Sequence, residues 1–152
     1  MRRVLALGAV LLVLAGCGVR PSEVIPAGEA PRQEATAQAV LYWLNGGRLV
    51  GHPRLTAEQL SPDNAVEALL LGPTPAEQGL DLSTALPVAD ILVVVSFRDG
   101  LTEIIVDTGV AGWSEMALDQ VTCTAVDAMG QDAPVVIVGN DVRREHHDCP
   151  IL

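Results

Sequence analysis

The chain has 152 residues, with nine Arg and no Lys against 19 Asp and Glu, and only four aromatic side chains. A formal charge of −10 from so few cations excludes nucleic acid and anionic lipid headgroups as electrostatic partners, because affinity for both rests on Lys and Arg contacts. At this length one domain of ordinary size is expected.

The N-terminus reads Met1-Arg2-Arg3, then an apolar run from Val4 to Leu14, then Leu14-Ala15-Gly16-Cys17. A charged start, a short apolar segment and small residues before a cleavage point describe an export signal over 1–16, too short to span a bilayer. Leu-Ala-Gly-Cys at this place is similar to a bacterial lipobox, which implies acylation, diacylglyceryl and palmitate-type, of Cys17. The alternative is an ordinary secretory signal with a chance cysteine. Each buried methylene contributes about 0.8 kcal/mol, so two or three acyl chains hold a protein at a membrane where one barely does. Removal of 1–16 leaves seven Arg against 19 acids, a formal charge of −12, so membrane attachment must come from the lipid. The expected place is the extracytoplasmic face of the cell membrane.

Residues 17–38 carry three Pro and no apolar periodicity. Such a composition does not bury enough surface to offset chain entropy and is expected to be a tether, spanning about 25 Å r.m.s.. The domain is then 39–152. "AVLYWL" (Ala39 to Leu44), "NGG" and "RLVGHPRL" predict a hairpin, with Pro53 requiring the second strand to be short or at an edge. Ser61 before Pro62 is N-cap chemistry, and Ala65, Val66, Leu69 and Leu70 form an apolar face, predicting a helix over 62–71 stopped by Gly72-Pro73. "TPAE" (Thr74 to Glu77) repeats the pattern as a capping box, so Thr74 and Glu77 serve the backbone rather than acting as nucleophile and base.

"DILVVVSF" (Asp90 to Phe97), the turn "RDG" and "LTEIIVD" (Leu101 to Asp107) predict a second hairpin, whose nearly continuous apolar first strand is expected to be central. Ser114 and Gly130 bound a helix over 115–129, with Leu118, Val121, Ala125 and Ala128 on one face and Glu115, Asp119 and Thr122 on another. "PVVIVG" (Pro134 to Gly139) is a last strand. The order β-β-α-β-β-α-β predicts an α+β domain, two helices packed on a small mixed sheet.

"AVLYWLNGGRLV", "AVEALLLGPTPAEQGLDLSTALP", the hairpin closing on "DGLTEIIVD" and the following helix resemble the GerMN domain of sporulation and germination proteins and of actinobacterial membrane lipoproteins, over about 37–140. The resemblance implies a compact fold, similar to ring-building modules of secretion and sporulation complexes, with no catalytic residues to carry over. "GLDLSTALP" departs from the family pattern, which leaves the local loop open. Many members carry a second copy or a following propeller, and functions that depend on those do not transfer.

Cys123 and Cys149 are an even pair in an exported chain and read as a disulfide, closing a loop of about 27 residues and contributing about 3.5 kcal/mol on the chain-entropy model. Rival readings are two separate thiols, or a metal site in "HHDC" (His146 to Cys149), which lacks a second cluster at zinc spacing. His52 reads as a surface residue. "GWSEM" fails the Gly-x-Ser-x-Gly elbow, "GAVLLVLAG" and "NGGRLVG" are not dinucleotide loops, and Asp99, Glu103 and Asp107 fit solvated strand faces or turns. No catalytic, cofactor or metal residues are nominated. The expectation is a lipoprotein that binds a protein partner in the cell envelope, not an enzyme. The alternatives are a small-ligand receptor or enzyme subunit, marked by a pocket gathering Asp107, Trp113 and Ser114, or a structural lipoprotein of the wall without a fixed partner. A flat, exposed apolar patch marks the protein-binding reading.

Overall fold

A computed structural model describes residues 37–146 and 149–151. The expected signal segment, Cys17, the expected tether up to residue 36, His147 and Asp148 of the tail, and Leu152 lie outside the described residues.

The first hairpin pairs β1 (Ala37–Asn45) with β2 (Arg48–Thr56), in register from Ala37↔Thr56 to Asn45↔Arg48. The two-residue turn needs positive φ twice, and Gly46 (57°) and Gly47 (78°) supply it without a Cβ penalty. β1 starts two residues before the expected Ala39, because the ladder continues to Thr56. Such a turn makes Asn45 and Arg48 a hydrogen-bonded pair. Alternation along the ladder then places Pro53 opposite Val40 in a non-hydrogen-bonded pair, its nitrogen facing the free edge. Proline thus fixes β2 at the edge without shortening it; the strand runs nine residues.

Helix α1 (Pro62–Leu70) starts at Ser61, whose side chain accepts the Asn64 N–H, and α2 (Pro75–Gln78) is the single capped turn expected from "TPAE". β3 (Leu82–Ser83), not foreseen, pairs with Leu44 and Asn45 of β1. The second hairpin is β4 (Val93–Arg98) and β5 (Leu101–Val106), turning through Asp99 (φ 52°) and Gly100 (φ 78°). Helix α3 (Glu115–Met129) has the predicted bounds, with Ser114 accepting the Ala117 N–H and Gly130 in the left-handed region closing it. β6 (Val135–Val138) lies parallel to β5, and β7 (Arg143–His146) pairs antiparallel with β6.

The strands form two sheets rather than one: β2-β1-β3, all antiparallel, and β4-β5-β6-β7, mixed. The domain is α+β, with α1 and α3 packed on both the sheets and each other. One core joins Leu41 and Trp43 of β1, Ala65 to Leu70 of α1, Val93, Ile104 and Val106 of the second hairpin, Leu118 and Val121 of α3, and Val135 and Ile137 of β6.

Two sequence expectations are corrected. β4 is an edge strand, not a central one. Its inner positions Val93 and Val95 join the core while Val94 is exposed, and its free edge is closed by α1, where the Asp63 carboxylate accepts the Val95 N–H at 2.6 Å. Thr122, expected on the polar face of α3, is fully buried, because α3 is enclosed on most of its circumference.

Candidate functional site

The residues that carried possible chemistry in the sequence are placed by the fold into structural work. Thr74 Oγ1 accepts the Glu77 N–H and donates to Glu77 Oε2 at 2.9 Å, and the Thr74 N–H reaches the same oxygen at 2.7 Å. Glu77 is buried and also paired with Arg54, 23 residues earlier, through Nε–Oε1 (2.9 Å) and Nη2–Oε2 (2.5 Å). Arg54 further donates to Ala68 O and Gly72 O at the end of α1, and its guanidinium lies 5.4 Å from the Trp43 ring centroid. Burial alone would raise the Glu77 carboxyl; the Arg54 guanidinium and the Thr74 N–H and hydroxyl outweigh it and hold the group below the usual carboxylate range. A capping box legible in the sequence is therefore one half of an ion pair tying β2 to both short helices.

Gln120 was invisible as a functional position. It is fully buried on α3, donating to Tyr42 O (2.8 Å) and accepting from Ala85 N–H (2.8 Å) and the Thr84 hydroxyl (3.3 Å). Thr124 Oγ1 accepts the Tyr42 N–H at 3.1 Å. β3 covers only the end of β1, so these two side chains satisfy the β1 edge where no strand follows. A lone amide among the apolar residues of α3 was the available signal.

Cys123 and Cys149 form a disulfide, with Cα atoms 4.8 Å apart. Together with Tyr42, and with Val40 and Leu49 beside them, they make a small cluster separate from the main core, on the opposite face of β1. Burial, reinforced by Asp127, pushes the Tyr42 phenol up to about 12.

Asp107, Trp113 and Ser114 do not gather into a pocket. Asp107 accepts the Leu92 N–H, Trp113 is in the core, and Ser114 caps α3. The loops following the parallel strands β5 and β6, the usual position for ligands in α/β sheets, are closed by Asp141. Its carboxylate accepts N–H groups from Val110 (2.8 Å), Ala111 (3.1 Å) and Val142 (2.8 Å), and these bonds, Val110 first, lower its pKa. Among the described residues there is no cleft able to enclose a small molecule and no group of three or more His, Cys, Asp or Glu placed to share a metal ion. His52 is half-buried on β2.

What the fold does present is the outer face of the four-stranded sheet. The register sets Val94, Ile105, Val138 and Arg143 in one row across the strands, with Ser96, Glu103, Val136 and Glu145 in the next. Leu92 continues the β4 column, bonded through its backbone to Asp107. Leu92 is 70% exposed, Val94 55% and Ile105 42%. Arg143 crosses β6 to Glu103 at 2.9 Å. On this face Arg98 and Arg143 stand against Glu103, Glu145 and Asp107, a formal charge of −1, so the apolar column of Leu92, Val94 and Ile105 is bordered by charged side chains. No helix among the described residues is long and apolar enough to cross a membrane.

No protein-family model matches the chain, and no curated protein matches it in sequence. Among solved structures it is similar to the tandem GerMN domains of the sporulation protein GerM from Bacillus subtilis, with a TM-score of 0.55 and 21% identity over 76% of this chain. The chain spans 42% of that protein's length, less than half of a protein holding two such domains. The fold of this chain is GerMN-like.

Proposed function

We propose that this chain is a membrane-anchored extracytoplasmic lipoprotein whose GerMN-like domain binds a protein partner, as an accessory or scaffold component of a cell-envelope complex. The observation that carries the reading is the outer sheet face: Leu92, Val94 and Ile105 leave apolar surface in water on a domain whose remaining candidate sites are occupied by its own side chains. The likeness to a sporulation protein supports a sporulation-related complex as the setting. The lipobox-like Leu14-Ala15-Gly16-Cys17 supports acylation of Cys17, and 17–36 supplies reach from the membrane. The domain acts by contact rather than by catalysis.

Two measurements test this. Fractionation of the full chain should find it in the membrane and find Cys17→Ser released or unprocessed; an unchanged location and mobility for Cys17→Ser refutes the anchor. In-cell crosslinking with mass spectrometry should recover a reproducible envelope protein with the wild-type chain and lose it with Val94→Glu/Ile105→Glu. Equal recovery with that variant moves the binding surface elsewhere, and no recovery with either refutes a stable partner.

A further inference from the structure

The C-terminal strand is held in an unusual way for an element that completes a sheet. β7 is four residues long, Arg-Arg-Glu-His, and none of its described side chains is buried. Among the described residues its side-chain ties are two ion pairs at the surface, Arg143–Glu103 and Arg144–Glu115 (2.8 Å), and a contact of 3.5 Å from Arg144 to Ala111 O. Pairs this exposed hold little. The strand it covers is the opposite: Val135, Val136 and Ile137 of β6 are all buried. The Gly139 N–H donates to Val142 O at the turn, so alternation points the N–H and C=O groups of Ile137 and Val135 at β7. Three residues beyond β7, Cys149 is bonded to Cys123 in the middle of α3. That bond lies in the small Tyr42 cluster and not in the main core.

We propose that the Cys123–Cys149 disulfide is a latch that holds β7 over the edge of β6, and that a dithiol reductant opens it to release β7 while the main core stays folded. Cys149 is followed by exposed Pro150 and Ile151, so local opening of this surface segment admits the reductant to its sulfur. One thiolate of the reductant attacks the Cys149 sulfur and expels the Cys123 thiolate. The second thiol of the reductant then displaces Cys149, leaving two protein thiols and an oxidised, disulfide-bonded reductant. With the latch open, the described residues of β7 retain its ladder, the two surface ion pairs and the Arg144 contact to Ala111 O. The edge of β6 becomes a template for pairing with another extended chain.

Hydrogen–deuterium exchange on the full chain, oxidised and then held in excess dithiothreitol, reads this directly, with intact mass reporting the gain of two hydrogens. Reduction is expected to remove protection across 135–146 while peptides from β1 and α1 keep theirs. The Tyr42 titration midpoint should fall from about 12 toward the ordinary value of about 10. Cys149→Ser should reproduce the released state without any reductant. The latch is refuted if β7 and β6 stay protected in Cys149→Ser, and equally if reduction strips protection from β1 and α1 together with 135–146, because the disulfide then supports the whole fold.

Discussion

Replacing Glu77 with Gln should destabilise the domain far more than loss of a surface carboxylate would. Glu77 and Arg54 are both shielded, with 6% and 19% of their side chains exposed, and removal of one member of a buried pair leaves the other charge uncompensated, at about 3–5 kcal/mol. Arg54 keeps its bonds to Ala68 O and Gly72 O and its stacking on Trp43, which favours the lower end, about 3 kcal/mol. At a urea slope of about 2 kcal/mol/M, the unfolding midpoint falls by about 1.5 M with an unchanged slope. Arg54→Met/Glu77→Gln removes both charges and should cost less than the sum of the singles. The pH dependence has a defined sign. The folded carboxyl sits below its unfolded value, so the pair's contribution is present above the unfolded pKa and is lost as pH falls through the folded one. Wild type should therefore weaken on acidification more steeply than Glu77→Gln. A midpoint for Glu77→Gln within the scatter of surface substitutions, about 0.5 kcal/mol, contradicts the assignment.

Tyr42 is the one tyrosine in the chain, so absorbance titration of phenolate isolates it. Its midpoint should lie at about 12 and fall in Asp127→Asn, and stability should decline as pH rises from the unfolded value near 10 toward 12, where the unfolded state has ionised and the folded state has not. Gln120→Leu strands Tyr42 O and Ala85 N–H, and thermal or urea melts should show a loss of about 2–4 kcal/mol. A Cβ on Gly139 would lie 2.7 Å from Thr108 O, so Gly139→Ala should cost about 1–3 kcal/mol in the same assay, whereas Gly112→Ala meets open space and should stay within about 0.5 kcal/mol.

Elements whose chemistry is local were legible in the sequence. Ser61-Pro62, the Thr74…Glu77 box and the Ser114…Gly130 span announced three helices, because caps act within a turn of their own backbone. Gly46-Gly47 and Asp99-Gly100 announced both hairpins. Elements that exist only through distant partners were not legible. β3 is two residues defined by Leu44 and Asn45, and β7 is a polar tetrapeptide without alternation. The apolar run of β4 marked it as buried on both faces, and nothing local said that Asp63 would close its edge or that Val94 would face water. The same limit applies to function. A patch such as Leu92, Val94 and Ile105 comes together only when β4 and β5 pair, and the roles of Arg54 and Gln120 depend on partners 23 and 78 residues away.

The most direct test of the binding reading places a photo-crosslinking amino acid in the full chain, in cells, at Val94 or Ile105 on the outer sheet face and, for comparison, at exposed Leu55 or Leu71 away from it. Binding through the sheet face predicts a discrete adduct of one size from Val94 and Ile105 and none from Leu55 or Leu71. Adducts from the comparison positions alone, or no discrete adduct from any of the four, would contradict it.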